Sequence, residues 1–349
     1  MSEKKTKVAI LGATGSVGQK FIELLSDHPW FEISELAASD RSAGKKYSDA
    51  VNWVMAAPLR RELADKIVLN CIPTLESKIV FSALDASVAG TIEEDFAKAG
   101  YIVISNSRNH RFDETVPLMV PEVNAGHLEM IKHQGYSGAI VTNPNCSTIG
   151  LVLALKPVID NFGIEALNVV TMQAVSGGGY PGVPSMDILD NVIPFIGGEE
   201  DKMEREPLKI FGSLNNAFKV DPASMKISAQ CNRVSVIDGH TECVQVKLKR
   251  KASKEELITG WNNFSAEPQA LSLPFAPVNP VVYLEGERSP QPRMNRNLGR
   301  GMAASVGRLR ECPLFDYKFV VLSHNTVRGA AGGTILIAEL MKAKGYLGN

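Results

Sequence analysis

Short apolar runs alternate with amphipathic stretches along roughly the first 145 residues of the chain. Apolar runs bounded by turns are typical of buried strands, whereas apolar residues three or four positions apart are typical of helices that pack on one face. The strand-like runs lie at 8–11, 32–38, 67–69, 79–82 and 102–105, and helical stretches such as 93–99 lie between them. This alternation predicts an α/β fold with a doubly wound, Rossmann-like parallel sheet.

The pattern changes at about residue 164, where longer strands with alternating apolar and polar residues begin. Residues 167–174 and 243–248 are examples, and Pro- and Gly-rich stretches connect such strands. This pattern predicts a second, α+β domain with a mixed sheet. Residues 326–346 are predicted to be helical and to pack back on the first domain. We therefore expect a nucleotide domain at 1–145, a second domain at 146–325 and a returning C-terminal helix at 326–349.

Composition narrows the classes of function. With 349 residues the chain exceeds the usual size of a single hydrophobic core, so two domains are expected. The 37 basic and 38 acidic residues nearly cancel, which argues against nucleic acid as a partner. Five cysteines without metal-type spacing suit a reducing compartment, so we expect a cytoplasmic protein without a bound metal. Neither a secretory peptide nor a membrane-spanning apolar run is evident, so we expect no membrane partner.

A glycine-rich turn follows the first predicted strand and precedes an amphipathic helix. Glycines allow a tight bend and a close approach of the backbone to a ligand, and the helix directs its N-terminus at that ligand. In this position the turn favours binding of a dinucleotide pyrophosphate. The expected contacts are Gly12, Thr14, Gly15, Ser16 and Val17. The alternative is an ordinary strand-to-helix turn.

A polar loop, residues 39–46, follows the second predicted strand, where an NAD enzyme places an acidic residue on the adenosine ribose. Asp40 occupies this place, but it lies among hydroxyl groups and cations. Arg41 offers a planar fork of donors to a phosphate, and Ser39 and Ser42 add neutral donors. We therefore predict NADP rather than NAD as the cofactor. The alternative is a solvated loop in which Asp40 still reads an unphosphorylated ribose.

The run Asn143-Pro144-Asn145-Cys146-Ser147 places one thiol at the start of a predicted helix. Pro144 disfavours helical geometry at Asn143, and Asn145 is a good N-cap, so the helix is expected to begin near Cys146. Unpaired N–H groups and the positive end of the helix dipole favour the thiolate and can hold an oxyanion beside it. The motif indicates a nucleophile. Alone, it is also compatible with an inert, half-buried cysteine.

Residues 233–240 are predicted to form a strand that runs into an Asp238-Gly239 turn, with a returning strand beyond it. If these two residues form a hairpin turn, Ile237 lies opposite His240, and Arg233 points to the same face. A cation suited to a carboxylate and an imidazole suited to proton transfer would then share one surface. The alternative is a hydrogen-bonded turn histidine and a solvated strand arginine.

Together these motifs resemble those of aspartate-semialdehyde dehydrogenases, most of all the archaeal and fungal branch, over nearly the whole chain. Three further runs contribute to the resemblance: Gln173-Ala174-Val175-Ser176-Gly177, Gly198-Glu199-Glu200-Asp201-Lys202 and Asn325-Thr326-Val327-Arg328-Gly329-Ala330-Ala331-Gly332. The resemblance implies that the second domain carries both the catalytic residues and the dimerisation surface.

The resemblance also implies a role for each candidate residue. Cys146 is similar to the nucleophile that becomes acylated, and His240 to the acid/base residue. The implied substrate contacts are Asn145, Gln173, Glu200 and Arg233, with Arg233 on the α-carboxylate and Glu200 near the ammonium. Arg111 and Lys202 resemble the phosphate clamp, and Ser176, Gly177 and Asn325 resemble the groups that hold the nicotinamide. Two choices stay open: Arg108 lies in the same loop as Arg111, and Glu199 is one position from Glu200.

The implied activity is the reversible, NADP-dependent phosphorylating dehydrogenation of L-aspartate 4-semialdehyde to L-4-aspartyl phosphate through a Cys146 thioester. This reaction belongs to the biosynthesis of lysine, threonine and methionine. Inorganic phosphate is the expected co-substrate, and a homodimer or homotetramer is the expected assembly. The alternatives are a malonyl-CoA or other acyl-CoA reductase on the same scaffold, an N-acetyl-glutamyl-phosphate reductase, and a redox-sensing NADP-binding module. NADPH production without added phosphate or arsenate would favour these alternatives.

Overall fold

The computed structural model describes residues 4–347, and its N-terminal half is built on a six-stranded sheet. The strands of this sheet are β1 (Thr6–Leu11), β2 (Phe31–Ala38), β3 (Leu69–Asn70), β4 (Ile79–Ser82), β5 (Ile102–Ser105) and β6 (Ala139–Thr142). They are all parallel and lie in the order β3-β2-β1-β4-β5-β6. This order, with a switch point between β1 and β4, is that of doubly wound dinucleotide-binding folds.

The C-terminal half contains a second six-stranded sheet, which is mixed. The strands of this half are β7 (Ile164–Gln173), β8 (Ser213–Leu214), β9 (Val220–Asp221), β10 (Lys226–Arg233), β11 (His240–Leu248), β12 (Val281–Leu284), β13 (Ala304–Glu311) and β14 (Tyr317–Ser323). The order in the large sheet is β10-β7-β11-β14-β13-β12, and β8 pairs only with β9. The expected fold class, a Rossmann-like parallel sheet plus an α+β mixed-sheet domain, is confirmed.

The helices connect the strands and cover both sheets. They are α1 (Ser16–Leu25), α2 (Tyr47–Ala50), α3 (Arg61–Ala64), α4 (Ala86–Lys98), α5 (Pro121–Asn124), α6 (Cys146–Phe162), α7 (Ser185–Ile188), α8 (Glu199–Ile210), α9 (Lys254–Asn262), α10 (Glu267–Ala270), α11 (Pro292–Asn295) and α12 (Gly332–Ala343). Within residues 4–347, none of them is both long and apolar enough to cross a membrane.

Residues 149–155 of helix α6 are all apolar, and this part of the helix is buried in the second half of the protein. Leu151, Val152 and Leu155 are fully buried and share a hydrophobic core with Val169 of β7 and Val321 of β14. A helix that is apolar on all sides is expected to lie inside a core rather than on a surface. Helix α6 follows β6 of the parallel sheet and precedes β7 of the mixed sheet, so its first residue, Cys146, lies where the chain passes from one sheet to the other.

The C-terminal helix packs against the first half of the chain. Ile335, Leu336 and Leu340 of α12 are fully buried in the same core as Val8 of β1 and Phe21 of α1. The helix begins at Gly332 rather than at 326, because residues Val327–Ala331 form a turn with π-type hydrogen bonds. The domain boundaries expected at 145/146 and 325/326 remain predictions.

The hairpin expected at Asp238-Gly239 is wrong. Strand β10 ends at Arg233 and pairs in parallel with β7, whereas β11 begins at His240 and pairs antiparallel with the other edge of β7. Because β7 lies between them, residues 234–239 pass over the end of β7 instead of forming a tight turn. Arg233 and His240 nevertheless reach the same end of the sheet.

Helix α6 approaches the end of β14 so closely that position 150 has no room for a side chain: a Cβ built on Gly150 would lie 2.6 Å from the Cβ of Ser323. We predict that Gly150→Ala lowers the free energy of unfolding by about 1–3 kcal/mol, because overpacking outweighs the roughly 1 kcal/mol that alanine gains over glycine in a helix. Urea unfolding measures this change. The matched control is Gly260→Ala in α9, where the nearest atom would be 3.8 Å away and stability should hold or rise. Equal effects of the two substitutions would contradict the close approach.

Candidate active site

Cys146 is the first residue of α6, as the sequence predicted, and Asn145 is its N-cap. The Oδ1 of Asn145 accepts hydrogen bonds from the N–H groups of Ser147 at 3.0 Å and Thr148 at 3.5 Å. Among residues 4–347, the N–H of Cys146 has no acceptor. A free N–H beside the sulfur, at the positive end of a helix dipole, can donate to an oxyanion that forms on a carbon bound to that sulfur.

His240 faces Cys146, although the two residues are 94 positions apart in the chain. The Nε2 of His240 lies 3.1 Å from the Sγ of Cys146, and its Nδ1 accepts a hydrogen bond from the N–H of Ala174 at 3.0 Å. Because Nδ1 is an acceptor, the neutral ring carries its proton on Nε2, and the Nε2–H group points at the sulfur.

Burial controls the charges of this pair. It raises the pKa of the Cys146 thiol to about 12; Glu199 acts in the same direction, and Arg111, Arg233 and Lys202 oppose it. Burial, followed by the charge of Arg233, lowers the pKa of His240 to about 3. In the free protein at neutral pH, the pair is therefore a thiol and a neutral imidazole rather than an ion pair.

Arg233 and Gln173 lie beside His240 at one end of the mixed sheet. Arg233 is paired in register with Gln173 on β7, and its Nη1 donates to the carbonyl of Ala174 at 2.8 Å. A Cβ built on Gly177 would lie 2.8 Å from the Nη1 of Arg233 and 3.1 Å from the Cε1 of His240, so the backbone at Gly177 packs directly on both side chains. The cation and the imidazole thus share one surface, as expected, but through two strands that flank β7.

Helix α8 directs Glu199, not Glu200, at the thiol. The Oε2 of Glu199 accepts from the Nδ2 of Asn145 at 2.9 Å and the Nε2 of Gln173 at 3.2 Å, and its Oε1 pairs with Lys202. Glu200 points elsewhere and accepts from the backbone N–H of Cys231 at 3.1 Å. Glu200 does not share the position of Glu199, because neighbouring residues on a helix face different directions. Which of the two contacts an ammonium group remains a prediction.

Arg111 is the loop cation that reaches this site, and Arg108 is exposed. The guanidinium of Arg111 is almost fully buried; its Nη1 donates to Glu206 at 2.8 Å and its Nη2 to the carbonyl of Asn106 at 3.1 Å. Together with Lys202 and Arg233, it lies close enough to Cys146 to influence the thiol pKa. A site with these cations suits an anionic substrate.

The turn after β1 has the geometry that a dinucleotide pyrophosphate needs. Gly12 has φ +75°, and a Cβ there would lie 2.6 Å from the carbonyl oxygen of Ala83. A Cβ on Gly18 would lie 2.3 Å from the carbonyl oxygen of Gly12, so α1 packs tightly under the turn. Gly15 is the N-cap of α1 and offers no side-chain acceptor, which leaves the N–H groups of Ser16 and Val17 for a phosphate.

The loop after β2 is open to solvent. Arg41 is exposed and, among residues 4–347, makes no ion pair. The N–H of Ser42 donates to the carbonyl of Ser39 at 2.8 Å, which closes a turn around Arg41. Asp40 accepts from the Nδ2 of Asn70 at 3.1 Å. The turn therefore leaves the Arg41 guanidinium available to a phosphate, whereas Asn70 occupies one carboxylate oxygen of Asp40.

The other three expected cofactor residues meet next to His240. The Nδ2 of Asn325 donates to the Oγ of Ser176 at 2.8 Å, and the Oδ1 of Asn325 accepts from the N–H of Gly239 at 2.9 Å. Gly177 packs on His240, as described above. Three distant segments thus converge around the imidazole and the thiol.

Two family models match the chain. The NAD-binding domain of semialdehyde dehydrogenases matches residues 7–131, and their dimerisation domain matches residues 155–328. The aspartate-semialdehyde dehydrogenase of Archaeoglobus fulgidus is 49% identical over 96% of this chain and 97% of its own length. That of Saccharomyces cerevisiae is 48% identical over 99% of this chain and 100% of its own length. The chain belongs to the aspartate-semialdehyde dehydrogenase family.

Solved structures of aspartate-semialdehyde dehydrogenases agree with this result. The Candida albicans enzyme with NADP has a TM-score of 0.91 at 46% identity, covering 98% of this chain and 100% of that one. The Vibrio cholerae enzyme II complexed with ASA has a TM-score of 0.78 at 27% identity, covering 97% and 99%. The expected resemblance to this family, with similarity to archaeal and fungal members, is confirmed.

Sequence reasoning missed two buried carboxylates that support the site. Glu206 accepts from Arg111 and from the N–H of Asn145, and Glu122 pairs with Arg328. Glu206 had a usable signal, because it lies two helical turns after Glu199 and therefore on the same face of α8. Glu122 had none, since its partner is 206 residues away.

The reactivity of Cys146 gives a test of the electrostatics. We predict that iodoacetamide alkylates Cys146 in the free protein at a rate that keeps rising from about pH 6 to about pH 10, because burial raises the thiol pKa to about 12. Mass spectrometry of the labelled peptides follows this site separately, with the exposed Cys243 as internal reference. A rate that levels off below about pH 8 would show that the thiol and the imidazole form an ion pair instead.

Proposed function

We propose that this chain catalyses the reversible, NADP-dependent conversion of L-aspartate 4-semialdehyde and inorganic phosphate to L-4-aspartyl phosphate. The observation that supports this most is the partly buried Cys146 thiol, 3.1 Å from the Nε2 of His240, at the start of α6. Membership of the aspartate-semialdehyde dehydrogenase family makes this reaction the first choice over a malonyl-CoA or other acyl-CoA reductase and over an N-acetyl-glutamyl-phosphate reductase. The convergence of so many polar groups on the thiol argues against a redox sensor.

NADP is the cofactor in this proposal. The turn residues Gly12, Thr14, Gly15, Ser16 and Val17 hold the pyrophosphate, and Ser39, Arg41 and Ser42 hold the 2′-phosphate. Ser176, Gly177 and Asn325 hold the nicotinamide end beside Cys146 and His240. When bound, the cofactor supplies or accepts the hydride. The Candida albicans relative with NADP, at 46% identity, supports this choice.

Charge complementarity assigns the substrate contacts. Arg233 binds the α-carboxylate, because its planar fork matches a carboxylate. Glu199, rather than Glu200, faces the ammonium group, and Gln173 and Asn145 hold the Glu199 carboxylate in place. Arg111 and Lys202 receive the phosphate. The site therefore offers at least one group of opposite charge to each ionised group of aspartyl phosphate.

Cys146 carries the covalent step. In the biosynthetic direction, the sulfur attacks the acyl carbon of aspartyl phosphate; the S–C bond forms, the C–O bond to phosphate breaks, the thiol proton passes to the departing phosphate, and phosphate leaves toward Arg111 and Lys202. The Cys146 N–H and the Nε2–H of His240 donate to the oxygen that becomes negative during the attack. The thioester is then ready for reduction. His240 acts at Nε2, the only nitrogen of its ring that faces the sulfur.

The assembly and the location extend the proposal. The match to a dimerisation domain at residues 155–328 supports a homo-oligomer, and we propose a homodimer or homotetramer formed through this part of the chain. All five cysteines are free in the structure, which agrees with a reducing compartment such as the cytoplasm.

Turnover with and without phosphate tests the function. The unaltered protein should reduce NADP with aspartate semialdehyde only when phosphate or arsenate is present, and Cys146→Ala should lower kcat by at least about a thousandfold, because no thioester forms. NADP binding, measured by fluorescence titration, should stay unchanged in the variant. Phosphate-independent NADPH production, or substantial activity of Cys146→Ala, would contradict the proposal.

Glu199→Gln and Glu200→Gln form a matched pair on adjacent positions of α8. Loss of a charge-assisted contact to the substrate ammonium should lower kcat/KM of Glu199→Gln for aspartate semialdehyde by about 10- to 100-fold, whereas Glu200→Gln should change it by less than about threefold. Steady-state kinetics at saturating NADP and phosphate give both values. The reverse order would restore the original expectation for Glu200.

A further inference from the structure

Glu206 is a buried carboxylate with two partners in the site and no assigned role. Its side chain is fully buried in α8. Its Oε1 accepts from the Nη1 of Arg111 at 2.8 Å, and its Oε2 accepts from the backbone N–H of Asn145 at 2.7 Å. One carboxylate therefore joins the cation assigned to phosphate with the residue that precedes the nucleophile.

The neighbouring turns of α8 hold the same two segments. Two turns toward the N-terminus, Glu199 accepts from the side chain of Asn145. One turn toward the C-terminus, the Nζ of Lys209 donates to the carbonyls of Arg111, Asp113 and Val116, each at 2.8 Å. A buried charge is costly unless partners satisfy it. Here the partners of Glu206 and Lys209 all belong to the segments around Arg111 and Cys146, and Glu199 contacts one of these segments through Asn145.

We propose that Glu206 is a positioning residue. It holds the guanidinium of Arg111 in the orientation that binds phosphate, and it fixes the backbone of the residue before Cys146. This proposal rests on the proposed function, because phosphate is the ligand assigned to Arg111. Glu206 and the Asn106 carbonyl hold the two terminal nitrogens of Arg111, whereas its buried Nε has no partner within residues 4–347. A guanidinium held at two nitrogens presents its remaining N–H donors in one fixed orientation.

If Glu206 served only to neutralise the charge of Arg111, its removal would change phosphate binding in the opposite direction. If Glu206 only offset the charge of Arg111, its removal would leave a more positive site, and phosphate would bind more tightly. If Glu206 orients Arg111, its removal weakens phosphate binding although the site becomes more positive. The direction in which the KM for phosphate changes therefore separates the two roles, and a loss of stability alone would not raise this KM.

The test is Glu206→Gln in the full chain, assayed in the oxidative direction with phosphate, aspartate semialdehyde and NADP varied in turn. The amide accepts from only one of the two donors, because its NH₂ group faces the other. We expect the KM for phosphate to rise about tenfold or more, and the KM for NADP to change by less than about twofold. Asp201→Asn removes the same charge from the exposed face of α8 and should leave all three constants unchanged. A phosphate KM that falls, or stays within about twofold, would overturn the proposal.

Two further measurements decide the outcome if this variant is unstable or ambiguous. In an Arg111→Lys background, Glu206→Gln should have little additional effect on the KM for phosphate, and an undiminished effect would overturn the proposal. A crystal structure of the unaltered protein with inorganic phosphate needs no variant: phosphate on Arg111 with the Glu206 contact kept supports the proposal, and any other arrangement overturns it. Phosphate-independent turnover of the unaltered protein would instead count against the proposed function.

Discussion

The start of α6 lies inside the protein, and its N–H groups therefore need partners there, because an unpaired buried donor costs about 1–3 kcal/mol. Asn145 satisfies two of them with its side chain, and Glu206 satisfies the N–H of Asn145 itself. Only the N–H of Cys146 remains for a ligand among residues 4–347. The nucleophile thus lies at a helix start whose cap is already formed in the free protein.

The same burial explains the balance of charges around the thiol. Arg111, Lys202 and Arg233 are three cations, and Glu199 and Glu206 are two carboxylates, so the described site has an excess of one positive charge. Aspartyl phosphate brings more negative than positive charge, and its binding offsets this excess. A buried site of this kind favours the charged substrate over neutral aldehydes, because only the former compensates the cations. The high thiol pKa in the free protein follows from the same lack of solvent.

The sequence predicted the features that depend on local rules. The glycine turn, the start of α6 at Cys146 and the parallel sheet follow from spacing, capping and strand length, and all three are present. The prediction of a hairpin between Arg233 and His240 failed, because no local signal shows that β7 (Ile164–Gln173) inserts between the two strands. Glu199 and Glu200 could not be separated, since one step along a helix turns a side chain by about 100° and the helix phase was unknown. Glu206 and Glu122 depend on partners far away in the chain.

Residues 325–331 explain how the two halves of the protein present one site. Asn325 contacts Ser176 and Gly239, and Gly329 packs so closely on Cys146 that a Cβ there would lie 2.7 Å from the cysteine Cβ. Val327 and Ala331, at the ends of the π-type turn, belong to the core that α1 also packs against. Arg328 anchors this turn through two hydrogen bonds to Glu122 in the interior, at 2.7 and 2.6 Å. Because such a buried pair is costly to break, the turn is held firmly in place. The turn therefore joins the core beneath α1 to the start of α6, which fixes the position of the thiol relative to the nucleotide-binding half.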